Sequence, residues 1–149
     1  MPTDAQAITR FTQIGWGFVL GLALLAASAR AADLRVVVHG VAHPQGQVII
    51  ALFDRPTSFP NTPAQGLALD AKVPTVTGVF TGLQPGEFAV AVYHDENGNG
   101  ALDKGLFGVP TEPYGFSRDA AGMMGPPSFA DAKFRVNATE QTIVINLRR

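Results

Sequence analysis

An all-β fold is what this sequence predicts: a single antiparallel β-sandwich of about seven strands over residues 32–149, interrupted by one long Gly/Pro-rich loop. Three observations carry that expectation. Short runs rich in Val, Ile, Phe and Thr recur along the chain, and several alternate apolar and polar residues with period two. Turn signals built on Pro, Gly and Asn separate those runs. The composition is 46% hydrophobic and only 15% charged, which is globular rather than disordered.

Each element follows from its residues. Leu34, Val36 and Val38 alternate with Arg35 and His39, the pattern of a half-buried strand. Gln47 to Phe53 is a continuous Ile/Val-rich run that belongs in the centre of a sheet. His43–Pro44–Gln45–Gly46 reads as the turn of a first hairpin between these two strands. Residues 54–63 carry Pro56, Pro60 and Pro63, which forbid a regular ladder. Leu67 to Val73 and Thr75 to Thr81 read as two more strands, with Pro74 marking a break. After the turn Leu83–Gln84–Pro85–Gly86, the run Glu87 to His94 puts Phe88, Val90 and Val92 on one face and Ala89, Ala91 and Tyr93 on the other. Asp95 to about Pro127 lacks periodicity and reads as a long loop. Its Phe107, Tyr114, Phe116 and Phe129 are expected to bury against the sandwich, with the loop closing one open end, and Met123 and Met124 read as gap-fillers. Ala132 to Val136 and Thr142 to Leu147 complete the strands. Short strands joined by short turns point to a sandwich.

The N-terminus predicts export. Arg10 precedes a continuous apolar run from Ile14 to Leu25, and Ala26–Ala27–Ser28–Ala29–Arg30–Ala31 supplies small residues for cleavage after Ala29 or Ala31. Residues 1–31 are therefore read as a signal peptide rather than an anchor, because the run is shorter than the ~20 residues of a spanning helix. The mature chain is expected to be periplasmic or secreted, monomeric, and without a membrane span. The absence of cysteine excludes disulfides, a thiol nucleophile and a lipid-modified cysteine. A formal net charge of -1 with no basic stripe argues against nucleic acid as a partner; an envelope protein or a small ligand is the expected partner class.

The segment Asp95–Glu96–Asn97–Gly98–Asn99–Gly100–Ala101–Leu102–Asp103 carries the strongest chemical signal. Calcium takes six to eight hard oxygen ligands in a flexible shell. Asp95, Asn97, Asn99, the Ala101 carbonyl and Asp103 stand at spacings that resemble the first half of an EF-hand loop. The closing bidentate Glu of such a loop is replaced by Leu106, so Glu112 is the expected missing carboxylate. The competing reading is a plain hairpin connection, since Asn–Gly is the strongest short turn signal. Two Asn–Gly pairs and two flanking aspartates exceed what a turn needs.

Other constellations are weaker. His39, His43 and His94 with Met123 and Met124 are residue types that suit copper, but nothing in the pattern unites them, and the histidines read as separate surface residues. Ser117 with Asp119 reads as a turn or short-helix cap, because the second Gly of a nucleophile elbow is missing. A hydrolase-like enzyme using the acidic loop with His94, Glu112 or Ser117 is the alternative to a non-catalytic binding module.

The stretch from Leu83 to Gly100, with its Tyr93–His94–Asp95–Glu96–Asn97–Gly98–Asn99–Gly100 core, resembles the bacterial exported family DUF2141. The resemblance continues through Leu106 to Ser117 and Gly125 to Ala132 and covers nearly all of the mature chain. It implies an exported single-domain β-sandwich and brings no established activity. The expected sandwich is transthyretin-like or immunoglobulin-like, and the strand–Pro–Gly–strand unit is also similar to transthyretin-like and carboxypeptidase regulatory-like sandwiches, an analogy of fold alone.

Overall fold

A computed structural model describes residues 31–149, so the signal peptide expected over residues 1–31, apart from Ala31, lies outside the described residues. Eight strands and one α-helical turn follow in order: β1 (Ala32–His39), β2 (Gln47–Phe53), β3 (Gln65–Asp70), β4 (Thr75–Leu83), β5 (Gly86–Asp95), β6 (Tyr114–Phe116), α1 (Phe129–Ala132), β7 (Phe134–Val136) and β8 (Gln141–Asn146), with short 3-10 turns at Leu106–Gly108 and Ser117–Asp119. They form two sheets. One has the order β4-β1-β8 and the other β3-β2-β5-β6, with β7 also pairing β5.

Alternation within the strands builds the core between the sheets. Leu34, Val36 and Val38 of β1 point inward against Val48, Ile50 and Leu52 of β2, joined by Phe80, Val90, Val92 and Ile145. Burying each such side chain contributes roughly 1.5–3 kcal/mol. The all-β sandwich expected from the sequence is the fold of the chain. Its pairing differs in three respects. The His43–Gly46 turn does not close a hairpin, because β1 pairs β4 and β8 whereas β2 pairs β3 and β5. The sandwich is not wholly antiparallel, since β1 and β8 run parallel from Leu34↔Gln141 to His39↔Asn146. Residues 129–132, partly assigned to a strand, form α1, where Ser128 and Asp131 make a reciprocal capping box.

The long loop covers a face rather than an end. Phe116, Phe129 and Phe59 pack on Phe53, Ala89 and Ala132, a second cluster on the outer side of β2 and β5. Their rings meet edge to face, with Phe59 centroids 5.1 Å from Phe53 and 5.8 Å from Phe116. Small residues at Ala51, Ala89 and Ala91 leave room for these aromatics. Phe107 is fully exposed rather than buried against the sheets, and Met123 and Met124 are fully exposed and fill no gap, all contrary to expectation.

The same loop protects the edge of β5. β6 pairs Ala91 to Tyr93, β7 pairs Gly86 to Phe88, and Val90 falls between them. There the buried Ser117 hydroxyl accepts from Val90 N at 2.9 Å and donates to the Ala132 carbonyl at 2.6 Å. Ser117 is thus a staple of the ladder rather than a helix cap. Ser117→Ala should lower stability by about 1–3 kcal/mol, the cost of an orphaned buried N–H, read from the midpoint of urea unfolding. β6 also closes the sandwich: Tyr114 and Arg148 exchange two backbone hydrogen bonds of 2.9 Å across the gap between the sheets. Gly115 permits this approach, since a Cβ there would lie 2.7 Å from the Asn146 carbonyl oxygen.

Candidate functional site

The acidic loop leaves the end of β5 and is ordered by its own side chains. Asp95 is buried at 1% exposure. Its Oδ1 accepts from Gly98 N at 2.8 Å and Asn99 N at 3.1 Å, and its Oδ2 accepts from Gly100 N at 2.7 Å. Asn97 Oδ1 accepts from Asn99 N, and Asn99 Oδ1 from Ala101 N, two successive Asx turns. Both amide groups donate to Asp103, Asn97 Nδ2 to Oδ2 at 2.5 Å and Asn99 Nδ2 to Oδ1 at 2.9 Å. The Tyr93 hydroxyl donates to the Gly100 carbonyl at 3.1 Å.

Glu112 arrives from the far side of the loop. It is buried at 4% exposure. Its Oε1 accepts from Glu96 N at 2.8 Å and its Oε2 from Asp103 N at 3.0 Å, so one carboxylate ties both ends of the loop together. Further out, Thr111 N donates to the Asp103 carbonyl at 2.9 Å. Asp95, Asn97, Asn99, Asp103 and Glu112 are therefore one hydrogen-bonded unit. Ala101 belongs to it through its N–H, while its carbonyl has no part in this network.

Asp95, Asp103 and Glu112 make no ion pair among the described residues. Their charge is felt by Tyr93. Burial pushes the Tyr93 phenol above its ordinary value of 10.0, and the carboxylates of Asp95 and Glu112 push it further. The stabilisation linked to the neutral phenol is present below the unfolded value and is lost as pH rises through the higher folded one.

The histidines are not separate. His39 stays apart, with its Nδ1 3.0 Å from Thr75 Oγ1 on the surface. His94, however, is fully buried, and its ring centroid lies 5.3 Å from that of His43. Glu96 completes the group: among the described residues, His43, His94 and Glu96 each bring a ligand atom within 4.8 Å of the others. The local signal was the spacing of His94 and Glu96, two residues apart at a strand end and hence on one side. The approach of His43 depends on the β2–β5 register, which places Val48 opposite His94.

The residues named for hydrolase chemistry are engaged elsewhere. Ser117 is bonded to backbone, Glu112 to two backbone amides, and His94 Nε2 to the Gln45 carbonyl at 2.7 Å. A cleft of about 640 Å³ opens beside α1, lined by Asp54, Phe59, Glu87, Phe129 and Lys133, and neither His94 nor Ser117 reaches it.

Among the described residues no helix is long and apolar enough to cross a membrane. No curated protein and no solved structure matches the chain. Residues 36–144 match the family model described as an uncharacterized protein conserved in bacteria, DUF2141, which spans the strands, the acidic loop and the long loop just described, and the chain belongs to that family.

Proposed function

We propose that the protein is an exported, non-catalytic β-sandwich module, of the envelope or the medium, whose acidic loop takes up calcium in a structural role. One observation carries the calcium reading: three carboxylates, two of them buried, meet in a single loop system with no cationic side chain paired to them among the described residues. A carboxylate offers about four lone-pair sites. Asp95 uses three of these on backbone amides, and Glu112 and Asp103 use two each. Free lone pairs therefore remain on all three acids, on the Asn97 and Asn99 oxygens and on the Ala101 carbonyl. That is a hard-oxygen donor set suited to calcium. With so few carboxylates, affinity belongs in the range of roughly 10⁻⁴–10⁻³ M of extracellular modules. The module reading is supported by Leu106, Phe107 and Val109, exposed together at a loop tip, a surface suited to contact with a partner.

Thermal melting with calcium and with a chelator tests the reading. At 100 times the dissociation constant, calcium should add about 2.7 kcal/mol to stability. Asp103→Ala, which leaves the Asp95 and Glu112 bonds in place, should abolish that response. Bound calcium should also bring the Tyr93 titration down towards the ordinary range, followed by phenolate absorbance. An equal calcium response in both proteins would remove Asp103 from the site, and no response in the unmodified protein would overturn the proposal.

A further inference from the structure

We propose that His43, His94 and Glu96 form a binding site for a divalent transition-metal ion of the zinc or copper(II) class. The site is separate in chemistry from the calcium loop, because imidazole nitrogens suit zinc and copper and not calcium. It uses neither Asp103 nor Glu112 as a ligand.

The buried ring of His94 carries the argument. Its Nε2 lies 2.7 Å from the Gln45 carbonyl oxygen, which can only accept, so Nε2 holds the proton. In the neutral ring Nδ1 is then a bare lone pair. That atom is buried, with no hydrogen-bond partner among the described residues. It faces Glu96 Oε1 at 4.0 Å. A lone pair and a carboxylate oxygen confront each other across a gap that suits a cation. The arrangement matches the way metal-binding histidines are held, with the distal N–H fixed by a backbone carbonyl.

The other two donors fit the same centre. His43 Nε2 lies 3.1 Å from Glu96 Oε1, and His43 Nδ1 is a second buried atom without a partner. Tetrahedral ligands bound at about 2.1 Å lie about 3.4 Å apart, so the 3.1 Å separation of His43 and Glu96 is close to that of shared coordination, and the 4.0 Å separation of His94 and Glu96 must close by about 0.6 Å when an ion binds. Glu96 is itself oriented, since its backbone N–H is held by Glu112. Arg149 Nη2 also contacts Glu96 Oε1 and supplies the positive charge that an ion would share or replace. The His43 side chain is 40% exposed, which gives an ion access from solvent. Three protein donors leave a fourth position for water or an exchangeable ligand.

Calorimetric titration of the purified protein with zinc chloride tests the site, with calcium chloride as the counter-probe. One zinc per chain is expected, and excess calcium should not compete. His43→Ala removes a half-exposed ligand and should weaken zinc binding by at least about 10-fold, the smaller of the losses seen even for outer-shell changes. Glu96→Gln should weaken it similarly. With copper(II), the electron paramagnetic spectrum should show coupling to two nitrogens, falling to one in His43→Ala. Equal zinc affinity in the unmodified protein and His43→Ala would overturn the proposal. So would displacement of zinc by calcium, or a copper spectrum without imidazole nitrogen.

Discussion

Asp95→Ala is expected to lower the stability of the domain by about 3 kcal/mol or more and to release the acidic loop. Hydrogen bonds to charged groups contribute roughly 1.5–3 kcal/mol each, and Asp95 accepts three. The sum is not additive, because Gly98, Asn99 and Gly100 are exposed and water can reach their amides once the loop opens. What water cannot repair is the turn itself. Gly98 and Gly100 have φ of +74° and +79°, and the Asp95 carboxylate is what gathers their N–H groups to one point. Asp95→Asn should cost less, about 1–2 kcal/mol, since one oxygen survives and only the Gly100 bond must be lost. Urea unfolding would give both values. Hydrogen exchange should show the amides of residues 98–100 losing protection in the alanine variant while the amides of β2 keep theirs. Equal stability of Asp95→Ala and the unmodified protein would mean that the loop does not depend on this carboxylate.

Gly46→Ala is expected to cost about 3 kcal/mol or more, from two separable causes. Gly46 has φ +72°, a conformation that costs other residues about 1–3 kcal/mol. A Cβ there would also fall 1.9 Å from the Asp95 carbonyl oxygen and 2.9 Å from its carbon, so the backbone must move, a further loss of about 1–3 kcal/mol. Gly82 is the control. Its φ is +71°, yet a Cβ would meet nothing within 4 Å, so Gly82→Ala should show the conformational cost alone. The difference between the two variants measures the close approach. Because Gln45 precedes Gly46 and its carbonyl holds His94, Gly46→Ala should weaken zinc binding as well, whereas Gly82→Ala should leave it intact. Equal losses of stability in the two variants would show that the Gly46 turn is free to shift.

Strand identity was legible because alternation is a local property. Leu34, Val36 and Val38 announce an inward face whichever strand lies beside them, and the run from Gln47 to Phe53 is found between two neighbours, as its apolar character implies. Pairing was not legible, because period two specifies a face and not a partner. The turn at His43–Gly46 has the residues of a hairpin connection but carries the chain from one sheet to the other. The short strand β6 was hidden within the Gly/Pro-rich loop, as three residues are too few for a period to show.

The acidic loop was legible for the same local reason. Its aspartates, asparagines and glycines lie within nine consecutive positions and bond mainly to one another. Glu112, which lies outside those nine positions, ties the ends of that loop through two backbone amides. By itself, then, the sequence determined the β-rich class, most of the strands and the self-contained loop, all of which follow from short-range sterics, burial pattern and hydrogen bonding. Tertiary structure alone decided which strands pair, where Phe116 and Phe129 come to rest, and that His43 meets His94. The last of these arises because antiparallel pairing of β2 with β5 folds a turn 51 residues upstream onto the start of the loop. Such a contact rests on the balance of many weak interactions across the whole core, and no residue near His43 carries a record of it.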